Sequence, residues 1–177
     1  MATALLVVDM TNDFITGKLK NDRALKVISP LKKLVDEAHK SSTPVVYISD
    51  AHYPEDTELK LWGEHSMKGE WGGQVVDELT PTDKDYTLEK RNYSAFFETG
   101  LDTLLRELNV DNVVVTGVVT NICIQHTSAD AFFRGYSITV PKETTEALSD
   151  EEYASGLNFL KTMYGAKIVS VDDQLFE

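Results

Sequence analysis

The stretch VVVTGVVTNICIQHT, Val113 to Thr127, holds the only cysteine of the chain, Cys123. The apolar run ends at Gly117 like a strand, and residues from about Asn121 read as a helix. That spacing puts Cys123 in a first helical turn. Free backbone N–H groups and the positive end of the helix dipole lower a thiol pKa there. The same N–H groups can hold a developing oxyanion. A carboxylate and an ammonium complete a nucleophilic device, and Asp9 and Lys90 stand at the ends of two other strand-like segments. Asp9 can take the thiol proton while Lys90 holds both in place. Taken singly, each residue has a plainer reading. Cys123 can be a small buried hydrophobe, Asp9 a loop cap, and Lys90 a solvated strand end. His126, three residues after Cys123, offers an alternative base on the same helix face. Inside a helix, however, it competes with substrate for the same side.

A second constellation is Asp50, His52 and His65. The triplet Asp-Ala-His puts two ligand-type side chains on one side of an extended segment. The segment LWGEHSMKG supplies the third donor. Nitrogen and oxygen donors suit zinc, and also iron or manganese. The triplet alone is a weak motif, because loop histidines are more often simply solvated.

The elements that must position these groups are regular. TALLVVD, TPVVYISD, YTLEK, NVVVTG, YSITVP and AKIVSV read as six strands. Between the first two, Ala24, Val27, Ile28, Leu31, Leu34, Val35 and Ala38 recur at helical spacing. Pro30 predicts a kink or a later start. Residues 51–85 form a long polar segment with weak helical character near Val75 to Leu79. Leu101, Leu104, Leu105 and Leu108 form another helical stripe. Gly135 closes the helix that follows Cys123. Ser149 with Glu152 is a capping box. Strands alternating with helices predict an α/β fold, three layers in αβα order, with a six-stranded, mostly parallel, Rossmann-like sheet. In such sheets ligands bind beyond the carboxyl ends of the strands, where the strand order reverses. Asp9, Asp50, Lys90 and the Gly117–Cys123 turn all stand at strand ends.

Composition narrows the partners. The 177 residues, 42% hydrophobic and 26% charged, fit one domain over 1–177. A formal net charge of -12 argues against nucleic acid and anionic membranes. No run is long enough to span a bilayer. The opening MATALLVVDM reads as a strand, not a signal peptide. One cysteine allows no internal disulfide and points to a reducing cytoplasm.

The chain resembles the isochorismatase-like cysteine hydrolases, a superfamily that includes nicotinamidases and N-carbamoylsarcosine amidases. The resemblance rests on LLVVDMTNDF, SDAHYPED, LEKRNYSAFFETGL and TGVVTNICIQHTSADAFFRGY. It implies Asp9, Lys90 and Cys123 as the catalytic triad and the N–H groups of Val119 and Cys123 as the oxyanion hole. It also implies a cis peptide between Val118 and Val119. Phe14, Trp62, Tyr93 and Val118 would line the substrate slot, although Phe14 reads equally as a core anchor. Asp50, His52 and His65 would bind a divalent metal, zinc first. The implied reaction is hydrolysis of a small amide to acid and ammonia through a thioester, on a homo-oligomer, dimer or tetramer. A nicotinamidase-like enzyme is the first expectation and a carbamoyl amidase the second. The acidic loop from Tyr53 to Leu61, with Glu55, Asp56 and Glu58, departs from typical nicotinamidases. A thiol sensor that keeps the fold is the alternative of another class. Isochorismate cleavage is disfavoured because it needs no thiol.

Overall fold

A computed structural model describes residues 2–176. The chain runs β1 (Thr3–Val8), α1 (Asn12–Ile15), α2 (Leu25–Lys40), β2 (Val45–Asp50), α3 (Leu59–Trp62), β3 (Tyr86–Lys90), α4 (Leu101–Glu107) and β4 (Asn112–Val118). A π-helical turn (Thr120–Ile124) then leads into α5 (Gln125–Phe133), β5 (Ser137–Pro141), β6 (Thr145–Glu146), α6 (Asp150–Tyr164) and β7 (Lys167–Val169).

The sheet order is β3-β2-β1-β4-β5-β7, with β6 paired to the end of β4. Each of these pairings is parallel. The sheet thus has seven strands where the sequence predicts six. The extra one is a two-residue strand in the polar stretch KETTE, which has no apolar run to announce it.

Both faces of the sheet are covered, which explains the unbroken apolar run of β1. Ala4, Leu6 and Val8 face a core closed by Leu101 and Leu105 of α4, Ala131 of α5 and Leu160 of α6. Leu5 and Val7 face the other core, where α2 contributes Val27, Leu31, Leu34, Val35 and Ala38. Leu31 and Leu34 are fully buried, a contribution of about 1.5–3 kcal/mol each. α2 runs through Pro30 without interruption, at the loss of the one N–H donor that proline lacks. The long segment holds α3 and two single 3₁₀ turns, Trp71–Gly73 and Asp77–Leu79, the second falling within the weakly helical stretch Val75 to Leu79. Ser149 caps α6 by accepting the Glu152 N–H at 3.2 Å. Tyr136 is core, whereas Phe132 and Phe133 are exposed. No described helix is long and apolar enough to cross a membrane.

From β1 the chain steps outward to β2 and β3, then returns to β4 on the other side of β1. The order reverses between β1 and β4, and a crevice opens at their carboxyl ends. Val8 and Gly117 are register partners there. Gly117 has φ 109°, and an added Cβ would lie 1.9 Å from the Val8 carbonyl oxygen. Only glycine fits.

Candidate active site

Three strand ends deliver the groups that sequence singles out. Asp9 follows β1 with its backbone in the left-handed region, φ 55°, and its N–H bonded to Ile48 O at 3.0 Å. Lys90 is the last residue of β3, and Cys123 sits in the π-helical turn after β4. All three are buried. The Lys90 ammonium lies 2.8 Å from Asp9 Oδ2 and 2.5 Å from Asp50 Oδ1. It donates to Asn92 O at 3.0 Å and stands 3.8 Å from Cys123 Sγ. Asp9 Oδ1 accepts the Asp50 N–H at 3.0 Å. Asp9 Oδ2 faces Lys90 without a well-aligned hydrogen bond, which leaves it open to a proton from the thiol.

Burial dominates the electrostatics. It pushes Asp9 up to about 7, helped by the neighbouring Asp50 and opposed by Lys90. It pushes the Cys123 thiol well above its ordinary value, and the pull of Lys90 does not offset it. Burial works against the charged form of Lys90, but Asp50 and Asp9 outweigh it and hold the ammonium charged. The expectation of a thiol acidified by a helix end is therefore corrected. The sulfur is too deeply desolvated for the backbone N–H groups and one ammonium to ionise it. It rests as a thiol, its pKa held well above the ordinary range, beside a carboxylate that burial makes an unusually strong base.

The Val118–Val119 peptide is cis. A cavity of about 390 Å³ opens in front of Cys123, lined among others by Phe14, Trp62, Tyr93, Val118 and Val119. Phe14 lines this cavity and also packs on the core, meeting the His65 ring edge-on at 5.5 Å. The Trp62 indole donates to Tyr93 Oη at 2.9 Å, joining two walls. His126 stands outside this cavity, with Nδ1 2.7 Å from Ile122 O of its own helix. It is not placed to serve as base.

Asp50, His52 and His65 come together as the spacing predicts, and Glu58 joins them. One ligand-type atom from each of the four lies within 4.8 Å of the others. His52 Nε2 is 3.5 Å from Asp50 Oδ2 and 3.4 Å from Glu58 Oε2. The outward nitrogens are occupied: His52 Nδ1 meets Asp56 Oδ2 at 3.0 Å, and His65 Nδ1 meets Gly63 O at 2.8 Å. Asp50 Oδ2 and His52 Nε2 are buried without hydrogen-bond partners. Orphaned buried donor atoms, with outward nitrogens fixed by acceptors, are what a cation site requires. The residues fit a divalent ion. Glu58 escapes sequence reasoning because it is one of several acids in an aperiodic loop. Its only signal is its place between His52 and His65.

Against this geometry the relatives can be read. A family model described as the isochorismatase domain matches residues 3–173. The chain belongs to the isochorismatase family of hydrolases. It is similar in structure to the N-carbamoylsarcosine amidase of Thermoplasma acidophilum, with 42% identity and a TM-score of 0.94 over 99% of both chains. It is 34% identical to the isochorismatase family protein YaaI of Bacillus subtilis, over 98% of this chain and 96% of that one. The nicotinamidase PncA of Bacillus subtilis superposes with a TM-score of 0.91 at 27% identity, over 96% of this chain and all 100% of that one.

Proposed function

We propose that this chain is a cysteine-dependent amidohydrolase that cleaves a small amide to acid and ammonia through a thioester. One observation carries the reading: a thiol that lines a cavity has a buried ammonium 3.8 Å behind it, and that ammonium is 2.8 Å from a buried carboxylate. The Cys123 proton passes to Asp9 as sulfur attacks the substrate carbonyl. The oxyanion faces the N–H groups of Val119 and Cys123. Asp9 returns the proton to the leaving amine, and ammonia departs. Asp9 then takes a proton from water, whose oxygen attacks the thioester and frees the acid and the thiol. Lys90 stays charged throughout and holds both partners in place.

Asp50, His52, Glu58 and His65 would hold a divalent cation, zinc first and iron or manganese as alternatives. When bound, it supplies a Lewis-acidic anchor for a substrate donor atom. The nicotinamidase form of the reading draws on this cluster. The carbamoyl form draws on the likeness to N-carbamoylsarcosine amidase and on the acidic loop from Tyr53 to Leu61. A reducing compartment such as the cytoplasm suits a free catalytic thiol. The proposal includes a homo-oligomer, and a monomeric hydrodynamic mass would remove that part.

The test is ammonia release from a panel of small amides by the wild type and Cys123→Ala. The variant folds and loses turnover by several orders of magnitude. Unchanged ammonia release would overturn the nucleophile. No release by either protein would favour the thiol-sensor reading.

A further inference from the structure

The cavity in front of Cys123 is unevenly charged. Its floor carries Cys123 and the Asp50–Glu58–His65 side of the metal cluster, and its walls are largely apolar. Its rim carries Lys18 and Lys20. Lys20 is paired with Asp22 at 3.1 Å. Of the lysines with no carboxylate at ion-pair distance among the described residues, Lys18 alone lines this cavity.

The segment that carries these lysines is fixed at both ends. Asp13 is nine-tenths buried or more, and its Oδ1 accepts the Lys18 N–H at 3.0 Å. Its Oδ2 accepts the Ser66 N–H at 2.7 Å, next to His65. The Leu19 N–H bonds to Asp13 O at 2.9 Å. Further on, Arg23 donates from Nε to Ala147 O at 3.1 Å and pairs with Glu146 at 2.8 Å. The rim is therefore an anchored wall, tied on one side to the loop bearing His65 and on the other to β6. A net charge of -12 repels anions from the molecule at large, so an exposed ammonium carried on an anchored segment at this mouth creates a local exception.

We infer that the substrate carries a carboxylate at the end remote from its amide, and that Lys18, with Lys20 beside it, is the specificity-determining contact. The inference rests on the amidohydrolase reading. The amide end faces Cys123 and the carboxylate end meets the rim, where a compact ammonium forms a charge-assisted hydrogen bond with it. A neutral amide of the same size gains nothing there.

Two pairs matched in size but not in charge test this through ammonia release: N-carbamoylsarcosine against N-ethyl-N-methylurea, and succinamate against butyramide. Nicotinamide serves as a neutral ring amide. The wild type prefers the carboxylate member by kcat/KM. Lys18→Gln lowers that preference about tenfold through KM, with kcat little changed, and Lys18→Glu lowers it further. Lys18→Arg retains it, as does Lys84→Gln on a remote exposed surface. The inference is overturned if neutral amides are turned over as well as their charged partners, or if the preference survives both Lys18→Gln and Lys18→Glu. Failure of the amidohydrolase reading looks different. No compound then releases ammonia, and both fall together.

Discussion

At the scale of single residues, the site is built to store a proton rather than a charge. Asp9 titrates at about 7 because burial and Asp50 disfavour its anion. The proposed base is the ionised form, present above that value and lost below it. kcat/KM therefore falls on the acid side with an apparent pKa near 7, approaching a tenfold loss per pH unit. A pH–rate profile that stays flat roughly two units below that point contradicts the role of Asp9. Asp56 has a different task. It accepts from the Tyr53 N–H and faces His52 Nδ1, both at 3.0 Å, and its pairing with Arg91 holds its carboxyl low. Asp56→Asn removes the charge that fixes His52 and should cost about 10–100-fold in zinc affinity. Competition with a chromophoric chelator measures this, and unchanged affinity rejects it. The meeting of Asp9, Lys90 and Cys123 was legible because each stands at a strand end or in the turn just after one, and sheets gather strand ends. Glu58 was not, since an acid in an irregular loop has no period to register it against its neighbours. The acidity of Cys123 was misread because sequence reveals the helix end but not the depth of burial.

Among the elements, β1 and β4 bear the tightest constraint. Gly117→Ala would drive a methyl into the Val8 carbonyl at a φ that side chains avoid. Soluble expression should collapse, whereas Gly100→Ala, where an added Cβ meets open space, should cost about 1 kcal/mol at most. Parallel expression trials and urea midpoints distinguish the two. A soluble, active Gly117→Ala would mean that β4 can shift along β1. Long apolar runs made the main strands readable. β6 was hidden because two polar residues carry no pattern, and their pairing depends on where β4 has already placed the edge. The π-helical turn at Thr120–Ile124 was read simply as the start of the following helix, for a related reason. Over five residues both turns present the same side-chain sequence.

The molecule as a whole carries 29 acidic residues against 17 basic ones, yet its deepest charged cluster is organised by one cation. Lys90 touches Asp9, Asp50 and Cys123 while shut off from solvent. Lys90→Ala would strand two carboxylates in a dry interior, a loss of about 3–5 kcal/mol in addition to inactivity. Urea unfolding of Lys90→Ala beside Cys123→Ala separates the two effects. Equal stability of the two variants would show that the carboxylates find water or a proton without cost. The ammonium that readies the chemistry also allows the sheet to close over its own anions. A descendant that abandoned turnover would still need this lysine to fold, so its persistence in a relative would testify to architecture before activity.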